Sequence, residues 1–251
     1  MKKLMIIVTL LLLSGCQEIS TIAKLAKANK DIESMHMSID LQVGLVIDLM
    51  GQQIETDLNA LTETDFTKPA THTIMSMEMA GFALETEQYT VINETSTIMY
   101  TKPSDVWIKK EVVTDEYKSE MMEPKMGSLV EMLLSTEFSQ LEEITVDGEQ
   151  LGQIQISMSM DQITEFLANG GMITDFIADL PEDTNFEDTS FDMIIKYDLE
   201  SNFIKIIEVD LLAALQDLLE QNGQGATKFL LKLTISEHNN VADEVVPQEI
   251  I

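Results

Sequence analysis

Arginine is absent from this 251-residue sequence, whose fifteen cations are all lysines. The planar guanidinium fork that grips phosphates and carboxylates at two points is therefore missing from its chemistry. Cysteine occurs once, at position 16, so the chain can form no internal disulfide and must stand on its core. No stretch approaches the roughly 20 apolar residues that a membrane-spanning helix needs. No Pro/Gly/Ser-rich linker divides the chain, which points to one domain. No serine sits in a G-x-S-x-G elbow, and no G-x-x-x-x-G-K-S/T phosphate loop occurs. The expectation is a protein that is not an enzyme and carries no cofactor. Acid dominates instead: 44 carboxylates give a net charge of −29. That balance excludes nucleic acid, which requires a basic face, and opposes lying flat on anionic lipid headgroups.

What is present begins at the amino terminus. Met1-Lys2-Lys3 precedes the apolar run LMIIVTLLLL (Leu4 to Leu13), which Ser14 and Gly15 separate from Cys16. A charged start, a short apolar segment and small residues make a secretory signal rather than a membrane span. Leu13-Ser14-Gly15-Cys16 matches a lipobox, in which the cysteine becomes the first residue of the mature chain and its thiol carries diacylglycerol. An acyl group such as palmitate on the new amino terminus makes attachment firm, since each buried methylene contributes about 0.8 kcal/mol. Residues 1–15 are thus expected to be cleaved, and Cys16 to be the lipid anchor. The protein is expected to sit on the outer face of the cell membrane.

Residues 16–34 read as a short tether and a helix, with Ile22, Leu25, Ala26, Ile32 and Met35 near helical spacing and lysines between. From Met35 the period drops to two. Met35, Met37, Ile39, Leu41 and Val43 alternate with His36, Ser38, Asp40 and Gln42. Alternation continues through Ile54–Phe66, Thr73–Met79, Leu84–Val91 and Thr97–Tyr100, and Pro103-Ser104-Asp105 turns the chain into Val106–Lys109. Helices are expected from Ser128 to Phe138, from Asp161 to Ala168 and from Met172 to Leu180. Strands return at Glu143–Val146, Gly152–Met160, Ser190–Tyr197, Phe203–Val209 and Lys228–Ser236. Leu211 to Glu220 suits a helix by its residues and a strand by its place, and both stay open. Long antiparallel strands twist, so a sheet this wide must curl. The fold class is therefore α+β: a large curved antiparallel sheet, a half-barrel, with helices packed on its concave face. Residues 35–251 are expected to be a single domain.

This order of elements behind a lipobox resembles the LolA/LolB-like (LppX/LprG-like) superfamily of bacterial lipid and lipoprotein carriers. The nearest likeness is to small LolA-like lipoproteins of Gram-positive bacteria. The residues that carry it are LSGC at the start and KANKDIESMHMSIDL at the helix-to-strand junction. IMYTKPSDVWIKKE forms the central hairpin, VDGEQLGQIQISM and KYDLESNFIKIIEVDL the later ones, and NNVADEVVPQEI the terminal segment. The resemblance implies an eleven-strand-like half-barrel around a hydrophobic cavity that takes a lipid or acyl group. It implies no catalysis. Two departures bear on transport: a Gram-positive setting has no outer membrane to deliver to, and the cavity arginine of such carriers has no counterpart here. Anchoring through Cys16 would also rule out a free periplasmic shuttle.

Methionine supplies the candidate site. Met75, Met77 and Met79 share one strand face by the period-two rule, as do Met158 and Met160. Flexible, polarizable thioethers suit ligands of variable shape, and they equally suit gaps between a sheet and its helices. Trp107 is a candidate for the cavity mouth or, with Tyr100, a brace across the central hairpin. A copper site on Met75-x-Met77-x-Met79 would need adjacent soft ligands, and His72 is the only histidine near. His36, His72 and His238 lie far apart without ligand spacing, and Asp183 to Asp188 lacks the glycine and glutamate of a calcium loop, so no metal is expected. The chain reads as a monomeric, membrane-anchored protein that binds an amphiphile. The other reading keeps the same fold with a closed core, as a surface interaction or sensor module.

Overall fold

The structure, a computed structural model, describes residues 21–49, 52–67, 70–103, 105–113, 136–159, 162, 190–213, 216 and 225–251. A helix, α1, is described over residues 21–29. It is followed by β1 (Met35–Leu49), β2 (Gln52–Phe66), β3 (Ala70–Met79), β4 (Phe82–Ile92), β5 (Ser96–Lys102) and β6 (Ile108–Val113). Then come β7 (Phe138–Val146), β8 (Glu149–Ser159), β9 (Ser190–Asp198), β10 (Ile204–Asp210) and β11 (Gly225–Ser236). All eleven strands form one sheet in the order β6-β5-β4-β3-β2-β1-β11-β10-β9-β8-β7. Every pairing is antiparallel, so two meanders meet where β1 pairs with β11.

The alternation read from Met35 onward is what builds this sheet, because period-two patterning places one set of side chains on each face. The expected strands are found, several of them longer than the alternation suggested. Phe138 opens β7 instead of closing a helix, and its side chain packs on the core. Helix α1 ends at residue 29, short of Met35, and Ile32 reaches the core from outside it. The open segment after Asp210 turns helical at Leu212 and Ala213, with the Leu212 N–H donating to Asp210 Oδ1 at 2.9 Å. The helices expected at Ser128–Leu134, Asp161–Ala168 and Met172–Leu180 lie outside the described residues.

Two tight turns show how local chemistry sets register. Met79 pairs with Phe82 across Ala80 (φ 51°) and Gly81 (φ 83°), and Val146 pairs with Glu149 across Asp147 (φ 51°) and Gly148 (φ 88°). Two central residues at positive φ make the hairpin turn whose twist matches the strands. Asp tolerates the left-handed region, whereas Ala pays a steric penalty there of about 1 kcal/mol. Ala80→Asn is expected to stabilise the protein by roughly 0.5–1 kcal/mol, read as a higher urea midpoint at unchanged slope.

The main core lies on the face against which α1 packs, here the inner face. Ile22 and Leu25 of α1 join Met35 and Met37, Ile154, Ile156 and Met158, Phe191, Met193 and Ile195, and Leu231, Leu233 and Ile235. Each such side chain fully removed from water contributes about 1.5–3 kcal/mol. A smaller cluster of Ala70, Tyr89, Tyr100 and Val246 lies on the outer face, where the C-terminal segment crosses the sheet.

One end of the half-barrel carries a histidine that reports on pH. His238 donates from Nε2 to the Ile204 carbonyl at 2.9 Å and stacks on Phe203 with centroids 4.5 Å apart. Burial holds its pKa below the ordinary 6.5; the Ile204 carbonyl pulls it up, and Lys205 pushes it further down. The fold thus prefers the neutral ring. This contribution is complete above about pH 6.5 and is lost as pH falls from there through the lowered folded pKa. His238→Gln is expected to flatten the fall in Tm between pH 7.5 and 5.5 relative to the parent.

Candidate ligand-binding face

The cross-strand register decides which candidates share a surface. Leu58, Ala60 and Thr62 on β2 stand opposite Met79, Met77 and Met75 on β3, which stand opposite Phe82, Leu84 and Thr86 on β4. Through Val43, Leu41 and Ile39 of β1 the same face continues to Phe229, Leu231 and Leu233 of β11. It then passes by Ile207 and Val209 to Ile195 and Met193, and on to Ile154, Ile156 and Met158 of β8. Met75, Met77, Met79 and Met158 therefore all belong to the inner face of one sheet. Met160 and Cys16 lie outside the described residues.

Burial on this face is uneven. Met158 is 0% exposed and Met193 and Ile195 are equally sealed, whereas Met75 is 50%, Met77 36%, Met79 43% and Phe82 79% exposed. Ile54, Leu84 and Ile108 on the same side are exposed as well. The β1 and β2 side chains between these regions, Ile39 to Leu45 and Thr56 to Thr62, are half-buried. One half of the face is a packed core and the other half is an open apolar surface continuous with it.

Charge is segregated by the same register. Among the described, paired positions the inner face carries no carboxylate, and Lys110 of β6 is its one charged side chain. Polar inner positions on β2 to β5 are occupied by Gln52, Thr56, Thr62, Thr64, Thr71, Thr73, Thr86, Gln88, Thr90, Thr97 and Thr101. The outer face of β2 to β4 alone carries Glu55, Asp57, Glu63, Asp65, Glu78, Glu85 and Glu87. An exposed apolar patch flanked by a highly acidic exterior is the kind of surface that marks a ligand groove or partner site.

Trp107 belongs elsewhere. It packs with Tyr89 (5.8 Å between centroids) in the outer cluster, beneath Lys102 Nζ at 5.8 Å, so it does not line the methionine face. Its bracing role with Tyr100 across the β5–β6 hairpin is the one that its placement supports. His72 likewise faces outward, away from Met75, Met77 and Met79, which removes the only nitrogen donor that a copper reading had nearby. Sequence reasoning missed Phe82 and Leu84 as part of the open face. Their signal was present: even-numbered positions on β4, paired across a two-residue turn to Met79 and Met77.

No protein-family model matches the chain, and no curated protein sequence does. Solved structures do. LprF from Mycobacterium bovis matches with a TM-score of 0.53 at 8% identity, covering 91% of this chain and 96% of that one. The lipoprotein LppX from Mycobacterium tuberculosis matches with a TM-score of 0.48 at 12% identity, covering 90% and 97%. A LolA superfamily protein from Nitrosomonas europaea is matched over 92% of this chain and 95% of its own, at 8% identity and a TM-score of 0.17. LprF carries the comparison, and the looser superpositions add nothing to it. The fold of this chain is that of LprF: a large curved antiparallel sheet with helical structure on its inner face.

Proposed function

We propose that this protein is a membrane-anchored extracytoplasmic lipoprotein that takes a lipid or acyl chain against the open half of its inner face. The observation that carries the reading is the pairing of two facts. A chain of net charge −29 keeps the described inner face free of carboxylates, and it leaves Met75, Met77, Met79 and Phe82 exposed there. Apolar surface of this kind is costly to leave in water at about 25 cal/mol per Å², and an acyl chain laid along it removes that cost. Thioethers adapt to chains of differing length and kink. The threonines beside them offer hydroxyls to an ester or headgroup without adding charge.

Cys16 is the anchor in this reading and stands close in sequence to Ile22 and Leu25 of α1, so the half-barrel rides close to the outer face of the membrane. A Gram-positive envelope fits a carrier that stays tethered. The alternative of an interaction module with a closed core is opposed by the exposure of the methionine strand.

The test is lipid extraction and mass spectrometry of the natively purified protein, followed by titration with a fluorescent fatty acid. A stoichiometric lipid, or saturable probe uptake that the extracted lipid displaces, supports the proposal. A protein that purifies empty and refuses the probe overturns it.

A further inference from the structure

We propose that the outer face holds a second, unrelated site: a divalent transition-metal centre of the zinc type, ligated by Asp65, His72 and Glu244. The three come from β2, β3 and the C-terminal segment, and their ligand atoms all lie within 4.8 Å of one another. Bonds of about 2.1 Å to a tetrahedral ion put ligand atoms about 3.4 Å apart, so side-chain adjustments of about an ångström close the site. All three residues are half-buried, which leaves room for a water as fourth ligand.

The register explains the meeting. His36, Asp65, His72 and Tyr89 stand opposite one another in a row across β1, β2, β3 and β4 on the outer face. Glu244 is delivered by the C-terminal segment, which bridges Ala70 and whose Glu244 N–H donates to Thr67 Oγ1 at 2.8 Å. Supporting groups orient the ligands. His36 Nδ1 is 2.7 Å from Asp65 Oδ1, the His72 ring stacks on Tyr89 at 4.3 Å, and His72 Nε2 lies 3.2 Å from Glu87 Oε1. Hydrogen-bonded partners of this type fix metal ligands in rotation and tune their basicity.

Charge asks for a cation. Asp65 and Glu244 gather at His72, which also meets Glu87. Among the described residues no lysine forms an ion pair with these three carboxylates, and Lys102 stands opposite Glu87 in the β4–β5 register without closing one. One imidazole with two carboxylates suits a borderline divalent ion such as Zn²⁺ better than Ca²⁺, which takes six or more oxygens, or Cu⁺, which prefers sulfur. Binding would also tie the C-terminal segment to β2 and β3, over the Tyr89–Tyr100–Val246 cluster.

The experiment is calorimetric titration of Zn²⁺ into the full chain, purified without a polyhistidine tag and stripped with chelator. One Zn²⁺ per chain with a Kd below about 10 μM is expected, unaffected by millimolar Ca²⁺. His72→Gln and Glu244→Gln should each weaken it at least about 30-fold, and His36→Gln about 10-fold, with circular dichroism unchanged. Zn²⁺ should also raise the Tm of the parent and not that of Glu244→Gln. Binding that survives either His72→Gln or Glu244→Gln at parental affinity overturns the site, since scattered carboxylates would then be responsible. So does the absence of saturable binding below about 100 μM.

Discussion

Met77→Glu will weaken uptake of a fluorescent fatty acid at least about 30-fold while leaving Tm within about 2 °C of the parent. Both halves of that result come from one position. Met77 stands between Ala60 and Leu84 at the middle of the open apolar surface, and at 36% exposed its tip already meets water. A carboxylate there can stay solvated in the empty protein, so folding loses little. Once an acyl chain covers the strand, the same carboxylate must lose water with no cation beside it; Lys110 lies on β6, beyond β4 and β5. Desolvating it costs about 2 kcal/mol or more, which is the expected loss of affinity. Probe titration and thermal unfolding on the same sample check both halves. Affinity equal to the parent would mean that the ligand does not use this face. A large fall in Tm would mean that the strand is part of a sealed core.

Asn29→Ala will cost about 3 kcal/mol of stability and lower the Tm by roughly 10 °C, the larger structural effect expected from a single polar side chain. Asn29 is fully buried at the end of α1. Its Nδ2 donates to the Leu25 carbonyl at 2.8 Å and to the Asn202 carbonyl at 2.9 Å, and its Oδ1 accepts the Ile204 N–H at 3.0 Å. Asn202 holds φ 60° in the turn between β9 and β10, so the amide stitches the helix to a left-handed turn position and to the start of a core strand. Alanine removes three hydrogen bonds, each worth about 1 kcal/mol net, and strands the buried Ile204 N–H. Asn29→Asp should do no better, because it loses both donors and buries a charge. Lys30→Ala, one residue on, breaks only an exposed 3.8 Å pair with Asp31 and should change stability by less than about 0.5 kcal/mol. Denaturant unfolding of the three variants separates these outcomes. An Asn29→Ala protein as stable as the parent would show that α1 is held by Ile22 and Leu25 alone.

Much of this architecture was legible in the chain because strand patterning is local. Period two from Met35 onward, the Asp147-Gly148 turn and the return of alternation at Ser190 are consequences of backbone geometry, and each falls in the sheet as read. The methionine face was legible for the same reason: Met75, Met77 and Met79 must share a side of any strand they form. The helix end was less so. Spacing alone extended α1 toward Met35, while the structure ends it where the Asn29 side chain turns to partners more than 170 positions away.

The sequence by itself determined the class of object: an acidic chain without arginine and with a single cysteine, carrying enough alternating segments for one wide curled sheet. Only the tertiary structure decided what each face does. Register placed His72 on the opposite side from the methionines, packing set Trp107 against Tyr89 on that same side, and burial left Met77 exposed while sealing Met158 on the inner face. It also brought His36, Asp65 and His72 into one row and laid Glu244 beside them. Alternation tells which residues of a strand face together, but not which strand lies next to it or what covers it. Those depend on pairings between distant segments, which no local pattern encodes.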